Sequence, residues 1–391
     1  MKKILSIGGA FVLVLLILTV SPSCKKTVTR TIIDTVQAAW QPLPLYNINA
    51  LAALSSYNMG DTTLLIGGSF GYTFVPVNSL PFNNLFTYPL PGTSIMAPVQ
   101  EAPFLNASLC AYTTATSFYV CSVPVHNQYS SVSYTPTYTP GAYSRFQEYH
   151  AYPTLSSPAT SFPVIRNRYT LVPVETVGNS NTQVRFDLVS FDSAKVLGTR
   201  VLGPDTPVAK SIVVTAAPGT IGFAGGGYYC ASYYDKFFVY YSGQFFRIDT
   251  AGNVKAFGYS PAPYQQNYGI GNMFTVGNNL YANSGGIIFV SADHGETWSL
   301  FNDFSQTNAG RVVYRNIGND LYATYGGLQA QIWKVVIAGN TFHFSGLNTD
   351  GLGSNLLTSI TRCGKYVFVT TPTGVFYRDT LYFNQLAKPI R

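Results

Sequence analysis

The stretch Ser291-Ala292-Asp293-His294-Gly295-Glu296-Thr297-Trp298 combines the residue types that close a tight turn between two strands. The Asp293 carboxylate can accept backbone N–H bonds inside such a turn, and Gly295 can adopt a positive φ. The Thr297 hydroxyl adds a local hydrogen bond, and Trp298 anchors the turn between sheets. We therefore expect a structural turn made by Ser291, Asp293, Gly295, Thr297 and Trp298, which indicates architecture rather than chemistry.

The sequence around this turn is repeated along the chain. Gly277-Asn278-Asn279-Leu280-Tyr281-Ala282 recurs 41 residues later as Gly318-Asn319-Asp320-Leu321-Tyr322-Ala323. A further 46 residues on, Gly364-Lys365-Tyr366-Val367-Phe368-Val369 continues the pattern. In the other direction, Gly252 precedes Gly295 by 43 residues. A period near this length, with about four strands per unit, is typical of a β-propeller blade.

Composition and weaker repeats extend this interpretation to the whole chain. The sequence has 29 Tyr, 26 Phe, 35 Gly and 23 Pro, which suits many short strands joined by tight turns. We predict an all-β fold, a β-propeller of seven blades with four antiparallel strands each, with six or eight blades as alternatives. Because the last repeat is short of strands, we predict that a segment between Ala38 and Tyr46 completes the last blade and closes the ring.

With this repeat around it, the octet 291–298 resembles the Asp-box (BNR) turn of sialidase-type β-propellers. The resemblance implies that the box lies at the outer turn of a blade, away from the central funnel where ligands bind. Phe246-Arg247-Ile248-Asp249 comes nearest to the Phe-Arg-Ile-Pro motif of sialidases, but Asp replaces Pro and the string lies mid-chain. We therefore expect Arg247 to be an ordinary strand residue, and the catalytic Tyr, Glu and Asp of the family have no match.

The N-terminus has the pattern of an export signal, because Lys2 and Lys3 precede an apolar run over residues 4–20. Ser21-Pro22-Ser23-Cys24 resembles the lipobox of bacterial lipoproteins. The resemblance implies a signal peptide over 1–23, a lipidated Cys24, a tether over 24–37, and one propeller domain over 38–391. It implies an outer membrane lipoprotein held at the membrane by its lipid, on the periplasmic or cell-surface face. An uncleaved anchor and a plain secretory signal are the alternatives.

Charge and histidine spacing exclude several functions. The formal net charge is +7, but charged residues make up only 10% of the chain and the basic ones are scattered, so we expect no nucleic-acid partner. The four histidines show no metal-like spacing, and no helix pattern follows Gly225-Gly226-Gly227 to form a phosphate loop. We predict no metal and no cofactor.

Two cysteines have a spacing that suggests a pair. Cys110 and Cys121 are symmetric about Ala115-Thr116, so a hairpin turn there places them opposite each other on adjacent strands. A disulfide is one outcome in an oxidising periplasm. Two buried free thiols are the other, because direct cross-strand disulfides are often strained.

Three segments rich in Pro and Tyr interrupt the repeat, at 80–104, 134–163 and 257–268. Long loops in a compact domain are often functional, and Tyr with Gln or Asn suits contact with sugars or a protein surface. Packing over the blade ends is the alternative role. The candidate binding residues in these loops are Tyr138, Tyr143, Tyr149, Tyr259, Tyr264, Gln265 and Tyr268.

The sequence favours a binding or scaffolding module over an enzyme. We predict a lipid-anchored propeller of the cell envelope that binds a glycan or an envelope protein, with no catalytic residue assigned. A sialidase-like glycoside hydrolase or lyase is the alternative, and a purely structural envelope protein is a further one.

Overall fold

The computed structural model describes residues 39–44, 53–59, 62–68, 71–78, 88–89, 96–101, 109–113, 118–122, 131–137, 143–144, 162–165, 168–177, 182–190, 208–216, 228–241, 243–258, 270–304, 312–325, 330–353 and 356–387. Within these residues the fold is built from β-strands with one short helix. The predicted all-β class is therefore confirmed. None of the described helical residues forms a span with the length and hydropathy that a membrane crossing needs.

The strands are numbered in chain order. Those of the N-terminal half are β1 (Gln41–Pro42), β2 (Ala53–Met59), β3 (Thr63–Gly68), β4 (Gly71–Pro76), β5 (Tyr88–Pro89), β6 (Met96–Glu101), β7 (Leu109–Thr113), β8 (Phe118–Ser122), β9 (Ser131–Tyr134), β10 (Tyr143–Ser144), β11 (Phe162–Ile165), β12 (Tyr169–Val177), β13 (Gln183–Ser190) and β14 (Val208–Thr215). Those of the C-terminal half are β15 (Tyr228–Tyr233), β16 (Lys236–Tyr241), β17 (Gln244–Asp249), β18 (Val254–Gly258), β19 (Ile270–Val276), β20 (Asn279–Ser284), β21 (Ile287–Ser291), β22 (Ser299–Asp303), β23 (Val312–Ile317), β24 (Asp320–Tyr325), β25 (Ile332–Ala338), β26 (Thr341–Gly346), β27 (Ser359–Cys363), β28 (Tyr366–Thr371) and β29 (Gly374–Asp379), followed by α1 (Thr380–Phe383).

Consecutive strands pair into antiparallel sheets. β2–β5, β15–β18, β19–β22 and β23–β26 each form a sheet of four strands in chain order. β6–β9 and β11–β14 are likewise two antiparallel groups of four, which a parallel pairing of β6 with β11 joins into one larger sheet. β10 pairs with β12 at the side of this sheet.

The last sheet contains both ends of the domain. β27, β28 and β29 follow each other, and the N-terminal strand β1 supplies the fourth position, with Gln41 opposite Tyr377 and Pro42 opposite Phe376. The Leu43 N–H continues the ladder by donating to the Val375 carbonyl at 2.8 Å. This pairing agrees with the prediction that a segment between Ala38 and Tyr46 completes the last blade.

The first strands of successive sheets lie side by side. β6 is beside β2, β11 beside β6, β15 beside β11, β19 beside β15, β23 beside β19, β27 beside β23, and β2 beside β27. We call β2, β6, β11, β15, β19, β23 and β27 the innermost strands. Their order follows the chain and returns to its beginning.

The hydrophobic core consists of layers between neighbouring sheets. Successive side chains along a strand point to opposite faces of its sheet, so each sheet offers one face to each neighbour, as Phe237 and Phe238 of β16 show by belonging to different layers. On β13, for example, Val184, Phe186 and Leu188 face the sheet of β15–β18, whereas Arg185 and Asp187 point to the opposite face. Phe238, Phe245, Leu280, Phe289 and Trp298 belong to the next layer along the chain.

One sequence prediction about the N-terminal half is wrong. Segment 80–104, predicted as an interruption, contains β5 and the innermost strand β6. β6 reads Met-Ala-Pro-Val-Gln-Glu, whose proline and lack of alternation conceal a strand. The pairing of β6 with β11 begins at Val99, after the proline, which has no N–H to donate to a ladder.

Candidate functional site

Side chains bridge four neighbouring pairs of the innermost strands, from β15 through β19, β23 and β27 to β2. On β15, Tyr229 and Tyr233 hold the backbone of Met273 on β19. The Met273 N–H donates to Tyr229 Oη at 2.9 Å, and Tyr233 Oη donates to the Met273 carbonyl at 3.0 Å. An innermost strand has backbone N–H and carbonyl groups on the edge that faces away from its own sheet. The two phenols provide hydrogen-bond partners for both of these groups of Met273.

Burial raises the pKa of both phenols. Desolvation is the main cause for Tyr229 and for Tyr233, and the Arg315 charge nearby opposes it only in part. Both phenols therefore keep their protons at neutral pH. A tyrosine in this state serves as a hydrogen-bonding group rather than as a nucleophile.

Two asparagines make the corresponding link between β19 and β23. Asn272 Nδ2 donates to the Tyr314 carbonyl at 2.6 Å, and the Tyr314 N–H donates to Asn272 Oδ1 at 3.3 Å. In the reverse direction, Asn316 Nδ2 donates to the Thr275 carbonyl at 2.8 Å, and the Thr275 N–H donates to Asn316 Oδ1 at 3.1 Å. Each side-chain amide thus bonds to the N–H and the carbonyl of one residue on the facing strand, as the backbone of a paired strand would.

The chain of links continues through β27 to β2. Arg315 Nη2 on β23 donates to the Thr358 carbonyl just before β27, at 3.4 Å. Thr361 Oγ1 on β27 donates to the Ser56 carbonyl on β2 at 2.6 Å, and Ser56 Oγ lies 3.4 Å from Ser359 Oγ. β15, β19, β23, β27 and β2 are therefore tied in this order by phenol, amide, guanidinium and hydroxyl groups.

Acidic residues are scarce on these strands. Among the seven innermost strands, the only Asp or Glu in the sequence is Glu101 at the end of β6. Glycoside hydrolysis usually needs two carboxylates that flank the scissile bond. In the part of the chain that the structure describes, no group of three or more His, Cys, Asp or Glu is placed to hold a metal ion.

The octet 291–298 forms the tight turn between β21 and β22. Asp293 Oδ1 accepts the N–H groups of Glu296 at 3.1 Å and Thr297 at 2.8 Å, and the Ser291 hydroxyl at 2.8 Å. Thr297 Oγ1 donates to Asp293 Oδ2, and the Gly295 N–H donates to Ser291 Oγ. These bonds outweigh the desolvation of the carboxyl and lower the pKa of Asp293 to about 2. The turn is thus closed by its own side chains.

The octet also docks on the preceding sheet, β15–β18. Trp298 packs edge-on against Phe238 and Phe245, with ring centroids 6.2 and 5.8 Å apart. Gly295 has φ +80°, and a Cβ there would lie 2.2 Å from the Phe238 ring. The His294 ring stacks on Tyr234 at 4.1 Å.

Glu296 completes this docking with three cations. Its carboxylate lies 2.5 Å from Lys236 Nζ, 2.7 Å from Arg247 Nη2 and 3.7 Å from Lys255 Nζ. The hydrogen bond from Lys236 is the largest cause that lowers the pKa of Glu296, to about 2. Arg247 is thus on β17, the third strand of its sheet, paired with a carboxylate of the next sheet rather than with a ligand.

Two further aspartates, Asp249 and Asp320, make different contacts. Asp249 Oδ1 accepts the N–H groups of Ala251 and Asn253 at 2.9 and 2.8 Å, as a turn-forming aspartate does. The Asp320 carboxylate accepts Lys334 Nζ at 3.0 Å and the Tyr322 hydroxyl at 3.4 Å, so it forms an ion pair with the neighbouring strand.

The structure aligns the two predicted cysteine partners. Cys110 on β7 and Cys121 on β8 are directly opposite in the register, and the disulfide between them stays a prediction. Cys230 and Cys363 are buried thiols, outside any disulfide, in the layers between sheets.

Most predicted binding residues lie outside the described residues. Tyr143 is the one predicted binding residue whose backbone the structure describes, and it lies on β10 opposite Thr176 of β12. The residues outside the description are Cys24, Tyr138, Tyr149, Tyr259, Tyr264, Gln265 and Tyr268.

One charged cluster was not predicted from the sequence. Arg185 on β13 lies with Nη1 2.6 Å from Glu175 Oε1 on β12 and with Nε 3.5 Å from Asp187 Oδ1. Glu175 and Asp187 are almost fully buried, 1% and 2% exposed. The only sequence signal is Arg185 and Asp187 on one face of a strand whose other face is apolar.

No protein-family model and no curated protein sequence matches this chain. Its fold is similar to that of catalytically inactive virginiamycin B lyase from Staphylococcus aureus with quinupristin, at 14% identity and a TM-score of 0.50, over 86% of this chain and 97% of that one. BamB from Moraxella catarrhalis is similar at 11% identity and a TM-score of 0.44, over 84% and 83% of the two chains. PorZ, a surface component of the type-IX secretion system of Porphyromonas gingivalis, is similar at 11% identity and a TM-score of 0.46, over 86% of this chain and 37% of that one. At such identity the likeness to the first of these shows the fold alone, which is that of a β-propeller.

Proposed function

We propose that the chain forms a closed propeller of seven blades. The groups β2–β5, β6–β9, β11–β14, β15–β18, β19–β22 and β23–β26 supply six blades of four strands each. β27–β29 with β1 supply the seventh. The innermost strands neighbour each other in chain order, and β27 neighbours β2, which supports closure.

We propose that this propeller is a binding module of the cell envelope, whose partner is a glycan or an envelope protein. The observation that carries the proposal is the chemistry of the innermost strands. Polar side chains of β15, β19, β23 and β27 bond to neighbouring strands, and the phenols of Tyr229 and Tyr233 stay protonated. The sequences of the innermost strands hold a single carboxylate, Glu101. Such a wall is suited to a rigid scaffold that presents its loops for binding.

The strands have two ends, and the connections at the two ends differ. In each antiparallel group of four consecutive strands, the turn from first to second strand and the turn from third to fourth strand lie at the same end, and the octet is one of these turns. The connections from one group to the next start and finish at the opposite end of the strands. Segments 134–163 and 257–268 are connections of this second kind, so we place the binding loops away from the octet.

A glycan is the favoured ligand because tyrosine rings stack on sugar faces while amides bond to hydroxyls. A sialidase-like hydrolase is disfavoured because Arg247, the only residue that resembles the arginines of that family, is bound by Glu296 of the octet.

The test is to apply the purified protein to an array of immobilised oligosaccharides and to a panel of aryl-glycosides. We expect saturable binding and no release of the aryl group. Release above that of heat-denatured protein would make the protein a hydrolase and overturn the proposal.

The lipid anchor is a separate part of the proposal, and it rests on the resemblance of residues 21–24 to a lipobox. Cells fed a clickable fatty acid should label the wild-type protein, and Cys24→Ser should abolish the label and release the protein from the membrane fraction. If Cys24→Ser were labelled as strongly as the wild type, the proposed lipid anchor would be refuted and the proposed binding module would be unaffected.

A further inference from the structure

Residues 380–387, which follow the last strand and which we call the α1 segment, carry two leucines that are turned towards solvent. Leu381 is 83% exposed and Leu386 is 66% exposed. The other exposed large apolar side chains of the described residues reach 37–53%, and each lies on a different strand. Single exposed apolar side chains are common on any protein, whereas several on one segment are typical of a contact surface. The α1 segment is therefore a candidate contact surface.

The α1 segment is fixed to the sheets that it adjoins. The Asn348 N–H donates to the Gln385 carbonyl at 2.8 Å, and the Ala387 N–H donates to the Gly346 carbonyl at 2.9 Å. The Gln385 side chain adds a third link, since its Oε1 accepts Arg378 Nη2 at 3.0 Å. The two leucines are thus exposed on a backbone that is already held in place. A partner that covers them does not have to order the segment first.

The N-terminal strand enters the domain beside the α1 segment. The ring of Trp40, the residue before β1, packs edge-on against Phe383 of α1, with ring centroids 6.1 Å apart. Trp40 Nε1 donates to the Asn348 carbonyl at 3.3 Å, and the N–H of the same asparagine bonds to Gln385. The chain that precedes β1 therefore arrives next to the two exposed leucines.

The length of the chain before this point limits how far a membrane can lie from it. Fourteen residues, 25–38, separate the proposed lipidated Cys24 from Ala39, the first described residue. A chain of this length spans at most about 50 Å when fully extended. A membrane that holds the lipid of Cys24 is thus within about 50 Å of the start of β1, and the α1 segment belongs to the surface around that start.

The charges around the α1 segment suit a membrane with anionic headgroups. Arg362 on β27 and Lys365 in the turn after it are exposed, and the Lys365 carbonyl accepts the Thr380 N–H at 2.9 Å. Asp379 also adjoins α1, but its carboxylate accepts the Leu381 N–H at 2.9 Å as a helix cap, which offsets part of its charge. Exposed leucines with neighbouring cations are the combination by which peripheral segments bind bilayers.

We propose that Leu381 and Leu386 dock on the phospholipid membrane that the lipid anchor reaches. This rests on the proposed function, through its lipid anchor. An anchor attached at one point does not fix the orientation of a domain, whereas a second contact beside the entry of β1 does. Docking of the two leucines therefore holds the propeller in one orientation, with Trp40 and α1 towards the bilayer.

The test uses the full-length lipidated protein in vesicles of phosphatidylethanolamine and phosphatidylglycerol whose acyl chains carry a nitroxide. A fluorophore is attached at Leu381→Cys and, as the control, at Val213→Cys, because Val213 is another exposed apolar side chain, on β14. Protein without an added cysteine gives the background from the native thiols. We expect the nitroxide to quench the label at position 381 about threefold more than the label at position 213.

A second substitution checks that the other leucine takes part. Leu386→Asp, introduced into the protein labelled at position 381, should reduce the quenching of that label about twofold, because a carboxylate is disfavoured among acyl chains. Val213→Asp in the same labelled protein is the matched control and should leave the quenching unchanged. Equal effects of the two substitutions would overturn the role of Leu386.

Flotation of the vesicles separates the docking from the anchor. If the protein floats with the vesicles and the two labels are quenched equally, the docking is overturned while the anchor stands. If the protein does not float, the anchor is refuted and the docking, which rests on it, is refuted as well. If the label at position 381 is shielded from aqueous iodide but not reached by the lipid nitroxide, a second copy of the chain covers the leucines, and the membrane is not their partner.

Discussion

Glu296 of the octet turn forms an ion pair with Arg247 on the preceding sheet, at 2.7 Å between Oε2 and Nη2. Lys236 and Lys255 approach the same carboxylate. Because the folded state lowers the pKa of Glu296 to about 2, from an ordinary value of 4.5, the pair stabilises the fold fully above pH 4.5. That contribution disappears as the pH falls towards 2.

We predict from this that Glu296→Gln lowers the free energy of unfolding by about 1 kcal/mol near pH 6, allowing for solvent screening of a carboxylate that is one-third exposed. The difference in Tm between variant and wild type should vanish near pH 2, measured by thermal unfolding across this range. Asp320→Asn, which removes an exposed pair with Lys334, is the control and should change Tm less. A difference that persists at the lowest pH would contradict the ion-pair explanation.

Gly295 should be intolerant of any side chain. It combines φ +80° with the Phe238 ring 2.2 Å from where a Cβ would be, so Gly295→Ala is expected to cost about 2–4 kcal/mol. Gly277→Ala is the matched control, because its φ is also positive, +58°, but nothing lies within 4 Å. Urea unfolding of both variants measures the difference. Equal costs would mean that the contact with Phe238 is relieved by a small shift.

Trp40 should anchor the N-terminal strand. Its side chain is 2% exposed, and its backbone N–H donates to the Asp350 carbonyl at 2.9 Å. Its ring packs edge-on against Phe383, with ring centroids 6.1 Å apart. We expect Trp40→Ala to cost about 3–5 kcal/mol in chemical unfolding, because it empties a buried site and frees β1. Leu381→Ala on α1, at 83% exposed, should cost almost nothing. A loss for Trp40→Ala as small as that of Leu381→Ala would show that β1 is dispensable.

The two asparagine links should differ in strength because they differ in burial. Asn272→Ala removes a 6% exposed amide that bonds to both backbone groups of Tyr314, and we expect a cost of about 2 kcal/mol. Asn316→Ala removes the same bonding pattern from an exposed position, where water replaces the amide, and it should cost less than about 1 kcal/mol. Denaturant unfolding of the two variants should give this order, and the reverse order would reject burial as the cause.

Cys110 and Cys121 should form a disulfide in protein produced in an oxidising compartment. Their opposite positions on β7 and β8 bring them within the range where the bond forms. Intact mass before and after reduction and alkylation should reveal one disulfide, which Cys121→Ser should abolish. Alkylation of both thiols without prior reduction, after unfolding, would show two free cysteines instead.

The sequence revealed the fold where the decisive interactions are local. Ser291, Asp293 and Thr297 bond to one another within one turn, so their spacing alone identified it. β6 escaped notice because its side chains do not alternate, and its place beside β2 and β11 depends on distant pairing. Glu296 and Asp187 find their partners on other strands, between 24 and 60 residues away, and no local pattern reports such contacts. The candidate site therefore depended on the structure, whereas the repeat did not.

The pairing of β1 with β29 has a mechanical consequence. A membrane tether ahead of Trp40 would pull on the shortest strand of the last sheet, whose ladder to β29 spans Gln41 and Pro42. Trp40, wedged between Phe383 and the Arg378 guanidinium, would bear that load before the ladder does. Because the partner of β1 is the last strand of the chain's sheets, β1 cannot pair until β29 is available, so this sheet closes only after the strands before it.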